Sequence, residues 1–201
     1  RHPYHPAYHP FRWRGWLDFG TGALGDIGCH AMDQVFKTLK LGYPLSVQAS
    51  SSRVNGQSYP VASMVTYEFP ARGEMPPVTL TWYDGGLKPA RPAELEQGRQ
   101  LGDGGLLYIG DKGKILDGRI IPESKMQEYK LPPKRLPRSV GHYEEWIEAC
   151  KGGKPAGSNF SIAGPLTEVV LLGNIALRAQ LRESLKRQKL LWDAEKKEFS
   201  N

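Results

Sequence analysis

The hydrophobic pattern of the 201-residue chain opens without a period. Residues 1–19, RHPYHPAYHPFRWRGWLDF, interleave proline with histidine and aromatic side chains. Each X-Pro step disfavours helix, so this segment is expected to be extended. Phe11, Trp13, Trp16 and Phe19 still need somewhere to pack, which predicts an ordered loop laid on a partner surface. A helical rhythm then begins. Leu24, Ile27, Met32, Val35, Phe36 and Leu39 predict a helix over 22–40 despite its glycines. Gly42 and Pro44 stop it. Strand-like runs follow at 46–53, 62–69 (ASMVTYEF) and 78–83 (VTLTWY), each β-branched or aromatic and bounded by Gly, Pro or Asn.

Residues 84–104 carry Gly, Pro and charge without a period and read as an insertion or flap. Residues 105–109 and 114–116 flank Gly110-Asp111-Lys112-Gly113, a turn between apolar runs that predicts a hairpin. Met126–Tyr129 reads as another short strand and Leu131–Pro137 as a proline-rich connector. Two helices come next. One covers Ser139–Cys150, with Val140, Tyr143, Trp146, Ile147 and Cys150 on one face and Trp146 in the core. Glu144 and Glu145, near His142, read as a solvated face. The other covers 161–182 on Ile162, Leu166, Val169, Val170, Leu172 and Ile175, capped by Asn159 or Ser161. Pro165 is tolerable only near its first turn. Leu190–Trp192 is a last short apolar stretch. The order does not alternate strand with helix. It predicts an α+β fold, an open and largely antiparallel mixed sheet with helices packed on one face. The other face then calls for a second subunit, hence a homo-oligomer.

Composition narrows the class. Hydrophobic residues make up 39% and charged residues 24%, as in ordinary globular proteins. The length suits one domain able to bury a core. No run of roughly 18 apolar residues occurs, so no membrane-spanning helix is expected. The start, Arg1-His2-Pro3-Tyr4, has neither an apolar leader nor an initiator Met. The chain is therefore expected to be a piece of a longer protein, with cytoplasmic or periplasmic localisation left open. The net charge of +6 raises nucleic acid as a partner. Much of the excess lies in Lys130, Lys134, Arg135 and Arg138 and in the stretch from Arg178 to Lys189. Neither is interleaved with stacking aromatics, so a solvated basic face is preferred. Cys29 and Cys150 form no CxxC pair and no disulfide framework.

Gly20-Thr21-Gly22-Ala23-Leu24-Gly25 matches GxGxxG by letter. A dinucleotide fingerprint needs a buried strand before it and an acid about 20 residues on. RWRGWLDF is not such a strand, and KLGYPLS supplies no acid, so the fingerprint reading is set aside. A glycine-rich helix start can still hold an anion or approach a ligand closely. Asp26 and His30 lie four apart on one helix face. A carboxylate beside an imidazole suits a general acid/base acting on an alcohol or carbonyl. An ordinary surface pair has the same spacing. Gly25 and Gly28 remove side chains around the pair and would let a substrate reach it. Asp33 is either a further partner or simply solvated.

GALGDIGCHAMD resembles the catalytic helix of the Gfo/Idh/MocA family, the relatives of glucose–fructose oxidoreductase and inositol dehydrogenase. The family pattern is a Gly-rich start followed by D-x-x-x-H, matched by Asp26 and His30. YHPAYHPFRWRGWLDFGTGALGDIGCH, LLYIGDKGKI, SNFSIAGPLTEVVLLGNIALR and LLWD carry the resemblance over nearly the whole chain. It implies a substrate-binding and oligomerisation domain over 1–201, with 1–19 as an aromatic loop and 20–201 as an α+β body. The open sheet would be like that of the C-terminal domain of dihydrodipicolinate reductase. An N-terminal Rossmann domain of the same protein, absent from this sequence, would bind NAD or NADP. Hydride would pass between the nicotinamide and a sugar or cyclitol carbon. His30 would carry the hydroxyl proton, Asp26 would orient and tune it, and Gly22 would lie near the nicotinamide. The family's Lys, usually in an E-K-P motif, is missing, so this chain alone is not expected to catalyse. AQLRESLKRQ before LLWD is longer than the family's usual link.

Three histidines, His2, His5 and His9, fall at metal-like spacing, but proline prevents the helix that would align them and no acid or Cys is nearby. A metal is therefore not expected. Tyr4, His5, His9, Arg12 and Trp13 suit sugar hydroxyls and C–H faces, although a loop packing on the missing domain accounts for them equally. Trp82, with Tyr83 and Asp84, either lines the pocket or ends a strand. Two further functional classes stay open: a relative that uses NAD transiently to cleave glycosidic bonds, and a non-catalytic carbohydrate-binding or scaffold module.

Overall fold

The structure, a computed structural model, describes residues 3–181 and 188–201. In chain order its regular elements are α1 (Gly22–Thr38), β1 (Ser46–Ser51), β2 (Ser63–Phe69), β3 (Val78–Tyr83), β4 (Leu107–Ile109), β5 (Lys114–Leu116), β6 (Arg119–Ile121), α2 (Glu123–Glu128), α3 (His142–Cys150), α4 (Phe160–Ala179), β7 (Leu190–Asp193) and β8 (Glu198–Phe199). The fold is α+β. Its residues gather into two compact units, Arg1–Ala90 with Pro165–Asn201, and Arg91–Gly164.

In the first unit five antiparallel strands run in the order β3-β2-β1-β7-β8. Register pairs Val47 with Tyr67 and Leu190, Ala49 with Val65, and Val65 and Tyr67 with Trp82 and Leu80. Side chains two apart share a face, so these residues make one apolar surface, and Val47, Val65 and Tyr67 are fully buried in it. α1 and α4 cover that surface. α4 contributes Leu166, Val169, Val170, Leu172, Ala176 and Leu177, and α1 contributes Leu24, Met32, Val35 and Phe36. By length and a mean hydropathy of 1.6, α4 alone among the described helices could cross a membrane. Its apolar stripe instead forms the core of this unit. The opposite sheet face carries Gln48, Thr66 and Thr81 in register and is open or half-open within the single chain.

Glycines set the distance between these layers. A Cβ on Gly28 would stand 3.1 Å from a Val170 methyl, and one on Gly173 would stand 2.6 Å from Leu24 Cδ2 and closer still to the Tyr67 hydroxyl. That hydroxyl is buried without a hydrogen-bond partner among the described residues. Burial pushes its pKa up, and the Gly173 backbone beside it opposes the shift.

The second unit holds the antiparallel meander β4-β5-β6 over a small cluster of Leu95, Leu116 and Ile121, with Leu101 and Leu107 packed against it. The expected hairpin is present, and Gly110 N–H closes its turn on Gly113 C=O at 2.9 Å. The aperiodic 84–104 stretch has no strand or helix, yet its second half is tied down. The Arg91 guanidinium donates to the carbonyls of Pro92, Leu95, Glu96 and Arg99, and Lys114 Nζ donates to both Glu94 carboxylate oxygens.

Several local expectations need correction. Met126–Tyr129 is not a strand. The chain is helical over Glu123–Glu128, where Pro122 opens the turn, Glu123 sits at the favourable N-terminus and pairs with Arg119 of the preceding strand. The strand in this region is Arg119–Ile121, whose Ile121 is the buried residue. α3 begins at His142 rather than Ser139, after Gly141 at φ 144°. It buries none of its residues, and Trp146 is 65% exposed rather than core. The helical period of its apolar face is real, but no described residue covers it. Residues 3–19 are not extended, because they coil into two 3-10 turns, Pro6–Tyr8 and Arg12–Gly15. The predicted end of the last long helix at residue 182, and part of AQLRESLKRQ, lie outside the described residues.

Candidate functional site

α1 is divided by burial. Leu24, Gly28, Met32, Val35 and Phe36 face inward, which leaves Asp26 and His30 exposed on the outer side. Their shared face follows from the spacing, but no hydrogen bond joins them. The Asp26 carboxylate instead accepts from the Arg14 guanidinium in the second 3-10 turn. Asp33 pairs with Lys37 at 3.1 Å and so is engaged away from His30.

Arg14 brings the aromatic loop to this helix. The loop is anchored by backbone bonds, with Leu17 N–H on Gln57 C=O at 2.8 Å and Tyr59 N–H on Gly15 C=O at 2.9 Å. Within it Tyr8 packs edge-on against Trp16 and Phe19, with centroids 5.0 and 5.4 Å apart, and the Trp16 indole donates to Ala7 C=O. That cluster answers where Trp16 and Phe19 pack. Tyr4, Phe11 and Trp13 stay outside it, 80%, 73% and 55% exposed. Arg14 lies over the Phe11 ring at 4.6 Å, and Phe11 itself has φ 81°, a strained value for an aromatic residue. His9 and Arg12 are exposed on the same segment. His5 is partly occupied, since its Nδ1 accepts from Ala7 N–H at 3.0 Å and caps the first turn. One exposed loop therefore carries Tyr4, His5, His9, Arg12 and Trp13, tied through Arg14 to the helix that carries Asp26 and His30. Arg14 had no signal in the sequence, because its partner is twelve residues away across a change of structure.

The glycines of α1 do not open a path to Asp26 and His30. Gly28 faces α4, and a Cβ on Gly25 would meet the Thr21 side chain and stand 2.9 Å from Asn174 Nδ2. Gly22, at φ 68°, is buried with the Tyr59 ring 2.6 Å from where its Cβ would be. It is thus covered by a side chain rather than free to meet a nicotinamide. The residues present do not form a dinucleotide cradle.

Trp82 sits on the helix-covered face of edge strand β3. Its indole N–H donates to Asp84 at 2.7 Å, and the same carboxylate accepts from Ser63 N–H and Oγ at 2.6 and 2.7 Å. This is a closed strand-end network, and no hydrogen bond or ring contact links it to Asp26 or His30. His2 lies outside the described residues, and among those described no three His, Cys, Asp or Glu side chains converge as metal ligands. One surface cleft, bordered by Leu17, Ser58, Tyr59 and Arg178, has a volume of about 10 Å³. That is far below the roughly 300–1,000 Å³ of a preformed small-molecule site; Tyr4, His9, Arg12 and Trp13 of the loop and Asp26 and His30 of α1 are exposed surface. No protein-family model matches the chain, and no curated protein matches it.

Proposed function

We propose that this chain is the substrate-binding and catalytic half of an NAD(P)-dependent oxidoreductase of the Gfo/Idh/MocA type, acting on a sugar or cyclitol hydroxyl. The observation that supports it best is the Arg14–Asp26 pair, which joins an exposed aromatic, His- and Arg-bearing loop to the D-x-x-x-H helix. The rings of Tyr4 and Trp13 offer flat apolar faces to sugar C–H surfaces, and His9 and Arg12 offer directed hydrogen bonds. His30, exposed and not bonded to Asp26, is the group in reach of solvent and substrate that would carry the hydroxyl proton. Asp26 acts on the loop through Arg14. The nicotinamide accepts hydride when bound, and a separate nucleotide-binding domain of the same protein would hold it. The open sheet face would carry the homo-oligomer contact.

The test is a redox assay of the complete gene product on aldoses, ketoses and cyclitols with NAD and with NADP. His30→Ala is expected to remove turnover. Unchanged turnover and an unchanged pH profile in that variant would refute the reading and leave a carbohydrate-binding module. That second reading draws on the exposed loop and α1 face, which need no redox partner. Strict retention of NAD, with no net reduction of added cofactor while glycosides are cleaved, would instead point to redox-assisted glycoside cleavage.

A further inference from the structure

The face of α3 that no described residue covers follows, in the chain, a segment of opposite charge. α3 carries Tyr143, Trp146 and Ile147 on one face, all exposed, Tyr143 at 73%. Glu144 and Glu148, one turn apart, run along the Ile147 side of that stripe. Both are exposed. Glu144 makes no ion pair among the described residues, and Glu148 pairs loosely with Lys151 at 3.7 Å. Glu145 lies on the opposite side and is already held, by Gly157 N–H at 2.9 Å. α3 therefore presents an acidic, aromatic surface of the kind that marks an interaction site.

The segment just before it is the complement. Between Glu128 and Glu144 the chain has no acid, and residues 130–140 carry Lys130, Lys134, Arg135 and Arg138 interspersed with Leu131, Leu136 and Val140. Every residue from 130 to 140 is exposed, Leu136 at 88%. None of the four cations makes an ion pair or hydrogen bond among the described residues. Pro132, Pro133 and Pro137 keep the segment from forming helix and lower the entropy lost when it docks. The segment does not lie on its own α3. It enters at the first turn and would have to double back to cover Trp146 and Glu148, and its exposure shows that it does not.

We infer that this surface joins two copies of the chain by reciprocal exchange: residues 130–140 of one copy lie on α3 of the other, and the same contact is made in return. A two-fold axis requires each copy to offer both halves of the contact. Here one unit of the chain carries both, a basic, apolar segment and an acidic, aromatic helix. The leucines cover Tyr143 and Trp146, and the cations meet Glu144 and Glu148. The contact uses none of the residues of the open sheet, which belongs to the other unit. It holds whether or not the chain acts on sugars.

Sedimentation velocity of the chain over a dilution series tests this. Association is expected to grow with concentration and to weaken as salt is raised. Glu144→Lys with Glu148→Lys makes one variant, and Lys134→Glu with Arg135→Glu a second. Each alone sets like charges against one another and should associate about tenfold more weakly than the parent, or less still. Mixed in equal amounts, the two should associate with each other as the parent does, since both contacts again join opposite charges. Trp146→Ala should weaken association about tenfold and leave the unfolding of the dilute, monomeric chain unchanged. The inference is overturned if the parent stays monomeric throughout, which would leave a separate domain or another protein to cover α3. It is overturned equally if the two reversed variants do not associate on mixing, or if association survives all these substitutions, which would place it on another face such as the open sheet.

Discussion

Replacing Gly173 by alanine tests the close approach of α4 to the sheet and to α1. In an exposed helix this change stabilises by about 1 kcal/mol, since glycine is the poorer helix former. Here the added methyl would meet the Tyr67 hydroxyl and stand 2.6 Å from Leu24 Cδ2. Both neighbours belong to the core, Tyr67 at 0% and Leu24 at 1% exposure, so neither can swing into solvent. Overpacking a well-filled core costs about 1–3 kcal/mol, and this site falls at the upper end because two fixed side chains are displaced at once. The net expectation is a loss of about 2 kcal/mol, or a Tm lower by about 4–8 °C for a chain of this size.

Tyr67→Phe completes the cycle. It removes the atom nearest the new methyl and also removes a buried hydroxyl that has no hydrogen-bond partner. Alone it should be neutral or mildly stabilising. Combined with Gly173→Ala it should recover at least half of the loss, a coupling well above the roughly 0.3–0.5 kcal/mol scatter of independent sites. Urea unfolding of the four proteins measures all the terms. A Gly173→Ala protein that is more stable than the parent, or a coupling near zero, would refute the packing argument.

Two further expectations concern the same chain. Trp146→Ala on α3 should change stability by no more than about 0.5 kcal/mol, since the indole is 65% exposed; a loss of several kcal/mol in thermal or urea unfolding would place it in a core after all. Stability should fall above about pH 10, the ordinary tyrosine value. Burial holds the folded Tyr67 pKa higher, so its contribution is intact below the unfolded pKa and is lost as pH rises toward the folded one. Tyr67→Phe should flatten that part of the stability–pH curve, and an unchanged slope would contradict the assignment.

The long periodic elements were legible in the sequence because each buries one face. The 22–40 helix and the runs at 46–53, 62–69 and 78–83 correspond to α1 and β1–β3 within a few residues, and the antiparallel α+β arrangement follows from their order. The failures share a cause. Met126–Tyr129 and Trp146 lie in the second unit, where elements are short and the apolar cluster small. There an aromatic or methionine says little about burial, and the short elements are accompanied by ion pairs such as Arg119–Glu123 and Lys114–Glu94. The proline steps of residues 1–19 forbid α-helix but not the tighter 3-10 turns that His5 caps.

Less of the site was legible, and the glycines show why. Their letters fit a phosphate fingerprint or an opened substrate path, yet Gly25 and Gly28 meet α4, and Gly22 lies under Tyr59. None of those neighbours is close in sequence. Asp26 has the same difficulty. Spacing offers it His30, but a guanidinium is always charged and matches a carboxylate with two parallel donors, whereas an imidazole near neutral pH is charged only in part. The anchored loop that holds Arg14 beside Asp26 therefore takes the carboxylate from the histidine. In the proposed reading this separates two tasks that the D-x-x-x-H pattern assigns to one pair: Asp26 holds the aromatic platform against the helix, and proton transfer falls to His30.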